Sequence, residues 1–188
     1  MSRTVRTIEA TMTDQRQVRD DLDQLGWAAA IWNVGRYDAQ KQWDETGEIP
    51  DDGELKSHER YTDLHSQSSQ RVLEELAEAF NGWFGKRRNG DDRAQPPGYR
   101  KNGDSHPRST VSFKPAGFKY DAQSTRARLS KGRNLKEHRS DFSLCEYETR
   151  PDVDLTEWDI QQVRAVYKRD EWRLQFACRT AGRRGGWC

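Results

Sequence analysis

Cysteine is scarce in this chain: three in 188 residues, at positions 145, 178 and 188. They are far apart and odd in number, which excludes a disulfide framework and leaves no Cys-x-x-Cys metal knuckle. Long apolar runs are missing as well. No stretch approaches the roughly 18–20 uninterrupted apolar residues of a bilayer crossing. The opening MSRTVRTIEATMTDQ lacks the apolar stretch of a secretory signal. The signatures that announce nucleotide, hydrolase or zinc-protease chemistry are also absent: GxxxxGKS or GxxxxGKT, GxGxxG after a strand, GxSxG and HExxH. The expectation is a soluble globular protein of a reducing compartment, with no membrane partner, no small-molecule substrate and no cofactor.

What is present is aromatic and charged. Seven Trp, six Tyr and six Phe are too many large apolar side chains for a chain that never packs. The net charge of +1 hides a polarised distribution. Residues 1–81 carry 9 basic and 17 acidic side chains, a net of −8. Residues 82–139 carry 15 and 5, a net of +10, and residues 140–188 carry 8 and 9, a net of −1. A block of that charge has polyanions as its natural partner. Arginine outnumbers lysine 23 to 9, and Arg forks pair two-pronged with phosphate and stack on bases. A GC-rich genome produces the same bias, so the ratio counts for little.

Periodicity divides the chain. Residues 3–12 alternate β-branched and polar positions as a half-buried strand does. Thr13-Asp14 offers an N-cap, and Val18, Leu22, Leu25, Ala29 and Trp32 follow at helical spacing. This predicts one helix from Asp14 to about Trp43, broken by TGEIPDDGE. A second helix, capped by Thr62 or Ser66, carries the stripe Leu64, Val72, Leu73, Leu76, Phe80 and Trp83/Phe84, and is expected to stop at Gly85. The polar, basic KRRNGDDRAQPPGYRKNGDSHPRS reads as a long loop. Short alternating strands follow: Val111, Phe113, Phe118 and Tyr120; RARLSKG; Phe142, Leu144 and Tyr147. Last comes a hairpin with Val163, Val166 and Tyr167 on one arm, Trp172, Leu174 and Phe176 on the other, and Arg169-Asp170 at its tip. The fold class expected is therefore α+β, with a small β-barrel or open sheet into which the helical region is inserted.

The four histidines (58, 65, 106 and 138) lie in polar surroundings and are expected at the surface. Asp152, Asp154, Glu157 and Asp159 are the one carboxylate cluster, but chelation needs carboxylates converging from separate elements. No catalytic residue and no metal ligand is assigned. The polar face of the second helix is more telling. Ser66, Gln67, Gln70 and Arg71 are donors suited to base edges and phosphates. Aromatics interleave with cations downstream: Trp83-Phe84 before Lys86, Arg87 and Arg88, then Tyr99 before Arg100 and Lys101, then Phe113 before Lys114. Such pairs stack on bases while the charge grips the backbone. Trp83 and Phe84 themselves are expected in the core.

AIWNVGRYDAQKQWDETGEIP, YTDLHSQSSQRVLEELAEAFNGWF, PPGYRK, STVSFKPAGFKYD and PDVDLTEWDIQQVRAVYKRDEWRLQFACR resemble consecutive blocks of the TnpB (OrfB) proteins, over roughly residues 5–180. These are insertion-sequence proteins called transposases, whose full-length members are RNA-guided DNA endonucleases. The resemblance implies a wedge-like β-domain (1–13 and 109–180), a helical recognition domain with its basic loop (14–108), and a tail, 181–188, foreign to the pattern. It also implies a transposon-derived guide RNA and target DNA as partners, and a prokaryotic, cytoplasmic, nucleoid-associated setting. Adjacent-motif recognition would fall to Ser66, Gln67, Gln70 and Lys114.

The family continues into a RuvC nuclease domain and a zinc ribbon, for which RTAGRRGGWC offers no counterpart. The expectation is a chain truncated before its nuclease, binding nucleic acid without cutting it. The alternative is the product of a decayed transposon gene, a helical and β interaction module with no partner.

Overall fold

The computed structural model describes residues 5–48, 54–100, 108–138 and 140–180. Strand β1, Val5–Met12, buries Ile8, Ala10 and Met12 on one face, as the alternation requires. Asp14 then caps helix α1, Gln15–Ala28, its carboxylate accepting from the Arg16 N–H at 3.2 Å. The single long helix expected from 14 to 43 is in fact two. α1 ends at Ala28, and α2 runs Ile31–Thr46. No Gly or Pro marks the break. At Ala30, Trp32 and Asn33 the N–H groups reach back only three residues, and Ala28 to Ile31 are at most 3% exposed. Small side chains let this corner sit inside the core, so tertiary packing sets the bend that local propensity does not show.

Helix α3 is a short turn, Glu59–Asp63, started by the His58 ring, whose Nδ1 accepts from the Arg60 N–H. Helix α4 spans Ser66–Arg88 and overruns the expected stop at Gly85. Its end comes after Asn89, at Gly90, where φ is +88°. Gly85 lies in an open part of the helix and continues it, whereas Gly90 takes the left-handed turn that side-chain-bearing residues resist. Lys86, Arg87 and Arg88 fill the last turn, where cations oppose the negative end of the helix dipole.

Six strands follow: β2, Val111–Phe113; β3, Phe118–Asp121; β4, Arg126–Ser130; β5, Phe142–Glu148; β6, Trp158–Lys168; and β7, Glu171–Thr180. A short helix, α5, Arg133–His138, separates β4 from β5. With β1 they form one antiparallel sheet in the order β2-β6-β7-β1-β5-β4-β3. The two edges, β2 and β3, are consecutive in sequence and joined by Lys114 and the tight turn Pro115–Gly117. The sheet therefore curls until its ends nearly meet. The architecture is mixed helix and sheet around a nearly closed, barrel-like antiparallel sheet.

Register settles two details otherwise than the apolar pattern predicts. In β5 the inward residues are Ser143, Cys145 and Tyr147, while Leu144 is 42% exposed and Phe142 lies outside under the Arg128 guanidinium at 3.7 Å. In β6 an irregularity between Ile160 and Gln162 brings Val163 and Ala165 inward. Ser143 is needed inside because Asp21 of α1 accepts its hydroxyl at 3.1 Å. The same carboxylate meets Lys131, 1% exposed, at 2.7 Å. This buried pair pins α1 onto the sheet. Leu22 and Leu25, Val72 and Phe80, and Phe113, Val163, Trp172 and Phe176 belong to one apolar cluster shared by helices and sheet. Among the described residues no helix is long and apolar enough to cross a membrane.

Candidate nucleic-acid interface

The expected site residues divide among three places. Arg71, Tyr99 and Arg100 come together with Arg108, Ser109, Thr110, Arg164 and Tyr167 around an open cleft of about 750 Å³. It lies between α4, the loop after it and β6. The loop is held in place by its backbone: the Trp32 indole donates to the Gly98 carbonyl at 3.0 Å, and Asn33 accepts from the Arg100 N–H at 2.8 Å and donates to its carbonyl at 3.0 Å. Arg36 donates to the carbonyl of Pro97.

Carboxylates already answer three of the cleft's four arginines, those of α4 answering two of them. Arg71 meets Glu78 at 3.0 Å, Glu75 at 3.3 Å and Glu74 at 3.4 Å, one or two turns along its own helix. Burial works against the charged form of Arg71, but these carboxylates outweigh it and raise its pKa. Glu75 is the hub: it also takes Arg100 at 3.0 Å and the Ser112 hydroxyl at 3.2 Å. Arg100 lies over the Trp32 ring at 4.2 Å, and burial pulls its pKa down despite Glu75. Lys114 reaches Glu74 at 3.2 Å. Arg108 pairs with Asp23 at 2.8 Å, an oxygen that also accepts the Trp172 indole at 2.7 Å, and rests over Tyr167 at 4.8 Å. Arg164 differs from all of these, since its guanidinium has no hydrogen-bond or ion-pair partner among the described residues and its Nε is buried.

A second group lies at the far end of α4. Arg87 and Arg88 border a concavity of about 700 Å³ walled by Trp43, Trp83 and Phe84. Arg87 donates to the Asp92 carbonyl at 2.7 Å, while Lys86 and Arg88 are exposed and unpaired among the described residues. Trp83 and Phe84, expected in the core, are only half-buried against it.

The third place is the start of α4. Ser66 and Gln70 are exposed; Gln67 is half-buried, its amide oxygen turned into the fold without a partner. His65 departs from the expected surface position. It is half-buried with an unpaired, buried Nδ1, and desolvation, aided by the charge of Lys136, lowers its pKa. Lys101 and His106 lie outside the described residues. The carboxylate cluster has local duties: Asp154 accepts from the Thr156 N–H at 2.8 Å, and Asp152 meets Arg150 at 3.6 Å. Among the described residues no three His, Cys, Asp or Glu side chains gather as a metal site.

Arg108, Arg164, Tyr167 and Trp43 were not singled out as site residues from the sequence. Arg108 sits inside the basic block, so charge could have flagged it. Arg164 and Tyr167 lie in a strand read for its apolar face, and only the sheet order brings β6 beside β2 and the helix packed on it. No protein-family model matches the chain, and no curated protein matches it.

Proposed function

We propose that this chain binds nucleic acid, as the recognition and wedge portion of a TnpB-like transposon protein, holding guide RNA and target-adjacent DNA. The observation that carries the reading is the cleft. Four arginines and two tyrosines from α4, the basic loop and β6 line one open space together with Glu75 and Glu78, and of the four arginines Arg164 alone has no internal partner among the described residues. Guanidinium forks grip phosphate from two sides, and phenol rings give flat surfaces for bases and sugars. Gln70 and Ser66, exposed at the start of α4, are the side chains for base edges in this reading, and Lys114 is the one for a phosphate. In this scheme the helices α1 to α4 act as the inserted recognition unit and the curled sheet as the wedge. Pairing between guide and target would read sequence, while the protein reads scaffold shape and a short motif.

The test is binding of the purified chain to a structured RNA and to a DNA duplex, each across a salt series. Both complexes are expected to weaken steadily as salt rises, because phosphate contacts release counterions. Arg164→Gln, which breaks no internal pair, should weaken both by at least about tenfold, the order of a charged hydrogen bond of ~1.5–3 kcal/mol. No binding of either at about 100 µM protein, the weak end of non-specific affinity, overturns the proposal.

A further inference from the structure

The concavity at the end of α4 is separate from the cleft and built differently. Its wall is a contiguous aromatic surface: Trp43 and Phe84 have centroids 4.7 Å apart, Trp83 and Phe84 4.8 Å, and Trp43 and Trp83 5.9 Å. Trp83 is fixed in place by its indole N–H, which donates to the Ala94 carbonyl at 3.0 Å. The Trp43 indole N–H has no partner among the described residues, and neither does the Asn81 side chain at the rim. Aromatic faces left half-open cost free energy unless something covers them. The rim defines what fits. Arg87 keeps most of its guanidinium donors after its bond to the Asp92 carbonyl, Arg88 keeps all of its own, and against these two cations the lining holds one carboxylate, Asp92, so the rim is positive on balance. An apolar peptide would leave these charges unanswered and a cationic one would be repelled. A planar ring joined to an anionic backbone satisfies both halves.

We infer that this concavity holds an unpaired RNA nucleotide, its base stacked on the Trp43 ring, which Trp83 and Phe84 brace at 71° and 45°, and its flanking phosphates on Arg87 and Arg88. Asn81 is the polar side chain of the lining suited to a base edge. RNA is the occupant because loops and bulges present unpaired bases, whereas a base in duplex DNA must first be unpaired and unstacked. The inference rests on the nucleic-acid reading above and assigns a site that the cleft does not include.

The test uses the intact chain and three probes: an RNA hairpin with an adenine loop, the same hairpin with abasic loop sugars, and a single-stranded DNA of the loop sequence. The adenine hairpin should bind at least about tenfold more tightly than the abasic one, within the range of base–aromatic stacking, and should quench tryptophan fluorescence. Trp43→Ala should erase that preference without changing affinity for the abasic hairpin, and Arg88→Gln should weaken both hairpins alike. Equal binding of the two hairpins by the wild-type chain overturns the inference, whatever the variants' folding. Preference surviving Trp43→Ala in a variant that melts like wild type does so too, as does DNA binding as tight as that of the adenine hairpin. Such results leave the cleft standing if both hairpins still bind; failure of every probe overturns the function reading with it.

Discussion

Lys131 is sealed in the interior, 1% exposed, with Asp21 2.7 Å away as its ion-pair partner and the Ser140 hydroxyl accepting at 3.4 Å. Taking an ion from water costs several kcal/mol, which a close, hydrogen-bonded partner offsets without much surplus. The two ends of the pair are therefore unequal as targets. Asp21→Ala leaves the ammonium buried and also strands the Ser143 hydroxyl, and is expected to cost about 3–5 kcal/mol. Lys131→Met removes the ammonium and fills its space with an unbranched apolar chain, so it should cost far less in the Asp21→Asn background. Chemical denaturation of the single and double variants measures both. Equal losses for Asp21→Ala and Lys131→Met/Asp21→Asn would mean that packing, not charge, sets the penalty. Cys145 lies in the same interior, where burial, with the Asp21 charge adding, pushes its thiol up to about 12, so it stays a protonated, inert filler of the core.

At the scale of elements, the β6–β7 hairpin turns through Arg169 and Asp170, both left-handed, at φ 54° and 63°. That conformation suits a two-residue turn between twisted strands but favours Asn-Gly over side chains such as Arg. A left-handed residue with a Cβ costs roughly 1–2 kcal/mol, and Asp tolerates the region better than most. Arg169→Asn with Asp170→Gly is expected to raise stability by up to about 1 kcal/mol, after glycine's larger entropy loss on folding, read as an upward shift in Tm. This turn was legible in the sequence, since two polar residues between alternating apolar arms can only be a tip. The first strand, the cap at Asp14 and the apolar stripe of α4 were legible for the same reason: each is a local pattern with a local cause. The break at Ala29-Ala30 was not, because nothing in AAAIW resists a helix and the bend is imposed by what packs around it. Nor was the facing of β5, where Leu144 points out and Ser143 in. The inward demand there comes from Asp21, 122 residues away in sequence. The candidate site divides in the same way. The polar face of the second helix flagged Arg71 and aromatic–cation spacing flagged Tyr99 and Arg100, but Arg164 joins them only through the sheet order.

For the whole molecule, the +10 of residues 82–139 overstates the charge on offer to a polyanion. Folding brings the acidic first segment against it. Glu75 answers Arg100 and Glu74 answers Lys114, while Glu146 from the last segment answers Arg126 at 2.9 Å. A phosphate approaching Arg100 or Lys114 meets a carboxylate already in place, so counterion release there is partly cancelled. Lys86 and Arg88 carry no such partner, and Arg87 is tied only to a carbonyl. Equal numbers of cations should therefore contribute unequally to the salt dependence. On duplex DNA each neutralised phosphate adds about −0.9 to the slope of log K against log salt. Lys86→Ala, Arg87→Ala and Arg88→Ala together should flatten the slope by about 2–3 units on that basis. Arg71→Gln, Arg100→Gln and Lys114→Gln together should flatten it by about 1 or less, because these cations are already answered by carboxylates and release few counterions when phosphate binds. Glu78→Gln alone, which removes an exposed carboxylate from the cleft, should tighten binding relative to wild type at low salt. If the second triple flattens the slope as much as the first, the carboxylates move aside when nucleic acid arrives, and the cleft rather than the end of α4 carries the electrostatic grip.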